Sequence, residues 1–458
     1  MEISSTTHVA CSQETPQKEE LKLPFKLDPP HVSLASIKIQ DVKTDRGLSV
    51  WLVENNDIPV VTCQLMFADG GSKNEPKGKR GLLTLLAALM DEGAGSYKGP
   101  EFKKFLIENN IDLVVNQTLD TFIIGFSVPK TAVKQAFQAV KLILTQLRLD
   151  PHEIDKLKSH LHLHYRQLIE TQSEKAEEKL SQVLIGEHPY VTTVEERLDD
   201  LEKITREDMF DFIQAHFTKD RLIASVCGSI SPSELKTYID DTLKTLPEQT
   251  RASPVPDVTF QNTGTTYHVR VNIPQSTILF AHSGFKRNDP DYFAFDIAFD
   301  IFGSGELGSR LMQRIREDKG LVYGIGTMKV LNRHAQIILG RASTRTQTVN
   351  QVMELIRLEW KKFIEKGITQ DELKRAKQRS IGVFPLHLTN TQGIVSTLTA
   401  IQYYRLGIDY LAQRTSHIEA VTLDHVNRLL KERFKEELTF VIGGKELQED
   451  SKDQKEER

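Results

Sequence analysis

Residues 70–95 read GGSKNEPKGKRGLLTLLAALMDEGAG. They follow an extended apolar run, Val60-Val61-Thr62-Cys63-Gln64-Leu65-Met66-Phe67. A polar loop with Pro76 and three glycines comes next. From Gly81 to Met90 there is no charge, so a helix here is apolar on every side and is expected to be buried, with Thr84 its only side-chain hydroxyl. Asp91-Glu92-Gly93 restores charge and supplies a glycine for the helix C-terminus.

This strand, glycine loop and buried helix resemble the zinc-site segment of the insulinase/pitrilysin-type metallopeptidases. In active members the loop reads roughly G-S-x-x-E-x-x-G-x-x-G-L-x and leads into H-x-x-E-H. There two histidines one helical turn apart hold zinc, and the glutamate between them is the general base. Here the frame stands as Gly71-Ser72, Glu75, Gly78 and Gly81-Leu82, but Thr84, Ala87 and Ala88 occupy the His, Glu and His positions. Threonine and alanine offer none of the imidazole, carboxylate or thiolate groups that zinc takes from proteins. The resemblance thus implies a peptidase scaffold with a degenerate zinc site and no cofactor bound by this chain.

A chain of 458 residues is too long for one ordinary core, so two or more domains are expected. The net charge of −4 gives no bulk electrostatic case for nucleic acid or an anionic membrane. Cys11, Cys63 and Cys227 contain no CxxC pair, and the latter two read as buried thiols in strands. No stretch approaches the roughly 18 apolar residues of a membrane span, so no integral membrane segment is expected. The first residues lack the apolar centre of a secretory signal and read as a disordered arm, 1–32. That reading favours the cytoplasm, whereas the resemblance to secreted bacterial peptidases favours the periplasm.

Strand-like patterns cover Ile37 to Val42, Leu48 to Val53, the run to Phe67, Ile111 to Gln117, Thr121 to Val128 and Arg221 to Gly228. A charged helix is expected from Pro100 to Asn109, and amphipathic helices dominate Lys130 to Phe217. Strands, then helices, then a closing strand argue for α+β. The second half repeats the first: Ile204 and Val421, and Phe217 and Phe434, open matching segments, each pair 217 residues apart. A repeat this long means a duplicated domain. The expected division is 33–247, a linker at 248–266 rich in Pro, Ser and Thr, 267–444, and a disordered tail at 445–458. The resemblance adds the arrangement: two homologous α/β-sandwich-like halves forming a clamshell, with mixed or antiparallel sheets and helices on one face.

In the second half, Ile301 to Arg310 reads as a Gly-rich turn without a Walker lysine, leading through Leu311 to Gly320 into a strand near Tyr323. The family's second domain carries an Arg and a Tyr in the form R-x-x-x-G-L-x-Y, which Arg316 and Tyr323 match within REDKGLVY. A guanidinium and a phenol can donate to a tetrahedral oxyanion or a substrate backbone without ionising. Gly303, Gly305 and Gly308 would let a substrate chain pass close to the backbone. His160, His162 and His164 form HLHLH on an expected helix, and counting back from His188 puts His164 near the third zinc ligand of active members. No acid stands between His160 and His164, so a general base is missing there.

The resemblance therefore implies the non-catalytic, substrate-binding subunit of a heterodimeric metallopeptidase. Zinc would reside in a partner bearing H-x-x-E-H, and unfolded peptides would be cleaved with Arg316 and Tyr323 supplied in trans. Two alternatives stand beside it: a scaffold or peptide-binding protein with no part in hydrolysis, and a self-sufficient peptidase with a displaced metal at His160 and His164.

Overall fold

The computed structural model describes residues 34, 37–251, 253–271, 275–304 and 308–445. The expected arm at 1–32, the tail beyond Lys445, Cys11 and Gly305 lie outside these residues. The strands are β1 (Gln40–Lys43), β2 (Ser49–Glu54), β3 (Val60–Ala68), β4 (Gly93–Ala94), β5 (Tyr97–Lys98), β6 (Asp112–Gln117) and β7 (Thr121–Pro129), followed by β8 (Leu222–Gly228), β9 (Thr266–Arg270), β10 (Gln275–Ser283), β11 (Val322–Leu331), β12 (Gln336–Arg345) and β13 (Thr439–Gly444). The first large sheet runs β1-β2-β8-β3-β7-β6 and the second β11-β12-β10-β13-β9, while β4 and β5 form a two-stranded ribbon, with Ala94 of β4 also bridging Leu147. Both large sheets are mixed: β2 with β8 and β13 with β9 are parallel, and the other pairs are antiparallel.

β3 shows why its sequence is apolar almost without interruption. It lies between β8 and β7, and seven of its nine residues, on both faces, are buried. Val61, Cys63, Leu65 and Phe67 enter the first half's core beside Leu82, Leu83, Leu85 and Leu86, whereas Thr62 and Gln64 point to the opposite face. Cys63 stands opposite Val226, and Thr62 opposite Cys227, so the two thiols point to opposite faces of the sheet. Burial pushes each of them up to about 12.

A sheet that is apolar on both faces needs a cover on each. The first half's own helices supply one cover, and the other comes from the far half. Helix Thr391–Tyr403 lays Ile394, Val395 and Leu398 against Val53 and Cys227. Thr391 and Thr62 share a hydroxyl hydrogen bond of 2.7 Å, and Thr399 donates to Ser225 Oγ at 3.0 Å. The favour is returned by helix Gln172–Ile185, which packs Ala176, Leu180 and Leu184 on Leu279, Ala281 and Val441 of the second sheet. Gln172 Nε2 donates to the Gly443 carbonyl, and Asn262 Nδ2 to the Val183 carbonyl at 3.0 Å.

A buried polar cluster joins the halves a second time. Lys73 Nζ lies 2.7 Å from Asp69 and 2.9 Å from Asp120, and its side chain is 2% exposed. From the turn between β11 and β12, Arg333 gives its backbone N–H to Asp120 at 2.9 Å and its guanidinium to Asp69 at 3.0 Å. Tyr190 donates its hydroxyl to Asp120 at 2.5 Å and accepts the His334 N–H at 3.0 Å.

One local expectation is corrected. Ile301 does not begin a free Gly-rich turn: helix Tyr292–Phe299 continues as a π-helical turn over Asp300–Ser304. Gly303 permits this because its backbone lies against β11, where a Cβ would come within 2.8 Å of the Thr327 side chain. Among the described residues no helix is long and apolar enough to cross a membrane.

Candidate functional site

The loop after β3 owes its shape to backbone crowding. A Cβ on Gly71 would lie 2.4 Å from the backbone of Leu119 and Asp120, so only glycine fits. The Ser72 and Lys73 amides then donate to the Thr118 and Leu119 carbonyls at 3.0 Å each. Helix Leu82–Leu89 starts from Gly81, which has no side chain to cap it. Glu75 reaches forward instead and accepts the Leu83 N–H at 2.8 Å and the Gly81 N–H at 3.1 Å. Burial pushes the Glu75 carboxyl upward, and the two amide donors oppose it. This frame residue therefore holds the helix in place and would do so with or without a metal.

The helix is not buried on every side. Its five leucines are buried, and Thr84, Ala87 and Ala88 are the partly accessible positions. At spacing i, i+3, i+4 they form one face. The positions that the resemblance assigns to ligands and base are thus presented together, carrying a hydroxyl and two methyl groups.

The facing element is helix Pro151–Ile169. His164 is exposed, as is His160, whereas Tyr165 is buried and turned toward the helix. A Cβ on Gly81 would sit 3.2 Å from its hydroxyl. Burial pushes the Tyr165 phenol up, and the nearby Thr84 hydroxyl opposes the shift, though no hydrogen bond at normal length is formed. The buried residues Ile154, Lys158 and Tyr165 are the signal that could have found it, since their spacing marks the inner face. Thr84, Ala87, Ala88 and Tyr165 are not a zinc donor set, and no group of three His, Cys, Asp or Glu suited to a metal occurs among the described residues.

Beside Ala87 opens a cavity of about 470 Å³ lined by Leu106, Ile107, Ile111, Leu113 and Val115, with Asp91 and Lys103 at its polar end. Leu113 and Val115 belong to β6, which among the described residues pairs only with β7 and so leaves one edge unpaired. An edge strand beside an apolar trough suits an extended peptide, which adds backbone hydrogen bonds and drops alternate side chains into the trough.

In the second half, Arg316 lies on a π-helical turn, Met312–Glu317, and is exposed. Its guanidinium meets Met312 Sδ at 3.6 Å. Tyr323 is 66% exposed. The β11–β12 register passes from Val322 opposite Thr344 to Gly324 opposite Ser343, which makes Tyr323 the extra residue of a β-bulge. Bulges re-aim side chains, and this one turns the phenol outward from an edge strand. Gly303 is buried against the protein's own β11, and Gly308 is exposed with φ of 93°. Neither Arg316 nor Tyr323 lines the cavity beside Ala87.

Comparison with known proteins gives two adjacent family matches, Insulinase (Peptidase family M16) over residues 50–196 and Peptidase M16 inactive domain over 203–380. The non-peptidase homolog YmxG of Helicobacter pylori is 24% identical over 85% of this chain and 90% of its own length. An uncharacterized zinc protease YmxG of Bacillus subtilis is 21% identical over 64% of this chain and 71% of its own. Among solved structures, a peptidase M16 inactive domain from Pseudomonas fluorescens superposes with a TM-score of 0.84 at 20% identity, covering 90% of this chain and 98% of that one. A Helicobacter pylori protease gives 0.77 at 17% identity, covering 90% and 100%.

Proposed function

Since the chain belongs to the insulinase (M16) peptidase family, yet presents Thr84, Ala87 and Ala88 where active members hold metal and base, we propose that it is the non-catalytic, substrate-binding subunit of a heterodimeric zinc metallopeptidase. Its partner is a zinc-bearing member of the same family, and its substrates are unfolded peptides. The observation that carries this reading is Tyr323, a large aromatic side chain held out to solvent by a bulge. Arg316, seven residues earlier and also exposed, is the second donor. Together they would position the peptide backbone and steady the oxyanion from across the shared chamber. The name of the Helicobacter pylori relative, a non-peptidase homolog, agrees with a chain that is inactive alone.

The test is to co-express the chain with a zinc-bearing relative from the same genome and measure peptide cleavage. Arg316→Gln and Tyr323→Phe are each expected to lower kcat by about 10²–10³, the range for losing one oxyanion donor, with subunit association intact. Because both residues are exposed, stability should change by less than about 0.5 kcal/mol. Cleavage unaffected by losing both side chains would refute the assigned roles. A complex that forms without any gain in peptidase activity would support the scaffold reading instead.

A further inference from the structure

The juncture that Tyr165 closes in the first half stands open in the second. There, helix Tyr292–Phe299 and its π-helical turn meet helix Gln370–Val383, the counterparts of Leu82–Leu89 and Pro151–Ile169. Between them lies a cavity of about 530 Å³ lined by Asp296, Asp300, Lys329, Arg379, Ser380 and Arg414. Phe384 and His387 form a wall shared with a neighbouring cavity of about 310 Å³, which reaches Arg287 and Tyr410. Both volumes fall in the range of small-ligand sites, roughly 300–1,000 Å³.

The charges in this space do not cancel. Asp296 is engaged by Lys329 at 2.5 Å, and Asp300 by Arg379 at 2.5 Å. Arg414 is only 8% exposed, lies over the Phe384 ring at 4.0 Å, and donates to the Ser380 carbonyl and hydroxyl at 3.1 Å each. Arg287 donates to the Tyr410 hydroxyl and stacks on Tyr292 at 4.0 Å. Among the described residues neither guanidinium has a carboxylate within ion-pair distance. Burial holds the Arg414 guanidinium below the ordinary arginine range; Tyr410 and Asp296 oppose this, and the like charge of Arg287 adds to it. Two arginines flanking one phenol, one of them buried, form an arrangement that an anion stabilises and that no carboxylate pairs with among the described residues.

We propose that Arg287 and Arg414 form a receptor for a carboxylate, carried either by a small ligand or by the C-terminus of a peptide. The planar guanidinium fork matches a carboxylate in geometry as well as charge, the Ser380 hydroxyl lies beside it, and Phe384 and Val383 offer an apolar wall for the rest of the molecule. The site needs no catalytic partner, so its failure and that of the peptidase-subunit reading are separate results.

Calorimetric titration of the full chain tests it with three probes: succinate, an apolar hexapeptide with a free C-terminus, and the same peptide amidated. Saturable binding of succinate or the free-acid peptide is expected, with the amide at least about tenfold weaker than the acid. Saturation by succinate alone identifies a small ligand, and saturation by the free-acid peptide alone identifies a chain terminus. Arg287→Gln and Arg414→Gln should each weaken binding by about tenfold or more, and Lys361→Gln, on an exposed helix face elsewhere, should not. Arg287→Gln decides the matter if the buried Arg414→Gln fails to fold. Equal binding of acid and amide, affinity unchanged in Arg287→Gln, or no saturable heat from succinate or the free acid at millimolar concentration overturns the proposal.

Discussion

Replacing Lys73 by methionine is the sharpest test of how the two halves are joined. The side chain is 2% exposed and its ammonium bridges Asp69 and Asp120 at 2.7 and 2.9 Å, so Lys73→Met leaves two carboxylates without their shared cation. Breaking a buried ion pair from one side costs about 3–5 kcal/mol. Here Asp69 retains Arg221 and Arg333, each at 3.0 Å, and Asp120 retains the Tyr190 hydroxyl and the Arg333 amide. The expected loss is therefore at the lower end, about 3 kcal/mol. Urea unfolding can be followed by Trp51 and Trp360, one in each half. In an Asp120→Asn background the same substitution should cost at least about 1 kcal/mol less, because one stranded charge has gone. Acid titration adds a signature. Burial pushes the Asp69 carboxyl up, but Lys73, Arg333 and Arg221 outweigh it and hold it below the usual carboxylate value of 3.8. A folded pKa below the unfolded one means its contribution is complete above about pH 4 and lost as the pH falls through the folded value. Lys73→Met should flatten that acid loss. A cost below about 1 kcal/mol, or one independent of Asp120, would show that the cluster does not hold the halves together.

Three further outcomes are expected. Glu75→Gln keeps the volume but turns one amide acceptor into a donor, so it should cost about 1–3 kcal/mol, seen as a lower Tm; an unchanged Tm would show that Glu75 is not the cap. Leu398→Ala should cost about 2–5 kcal/mol and speed amide exchange in β3 and β8 of the opposite half, whereas exchange confined to its own half would refute the crossed packing. Burial lowers His216 and His282 below their ordinary 6.5, so their neutral forms contribute stability that is complete above about pH 6.5 and is lost as the pH falls through the folded values. His282→Phe, which keeps a ring against Trp360 and Phe434, should shrink the drop in urea midpoint between about pH 7 and pH 5; an unaltered drop would exclude it as a source.

Local pattern told most about the first half. The uncharged run after Gly81 gave the leucine helix, and β3 and β7 fall where the apolar runs placed them, because strand and helix periodicity are properties of neighbouring residues. The face of Thr84, Ala87 and Ala88 was readable because the frame residues surround it within about a dozen positions. Tyr165 was missed for a different reason: a count from His188 carries the uncertainty of every loop it crosses, whereas the helix's own inner-face spacing carries none. The bulge at Tyr323 depends on pairing with β12 and leaves no mark in REDKGLVY. Asp69, Asp120 and Arg333 meet only after both halves have folded, so no window of sequence contains the cluster. An amphipathic helix such as Thr391–Tyr403 reads the same whichever sheet it will cover, which hid the reciprocal packing.

That reciprocity limits how the molecule can move. Two arms folded across each other cannot swing apart on a hinge between them: parting the sheets would strip Leu398 from one and Leu180 from the other in a single stroke. The polypeptide is in this sense a stiff jaw. In the heterodimer proposed above, a gap wide enough to admit a peptide would have to come from rocking one whole jaw against another, at a rate set by the seam between subunits.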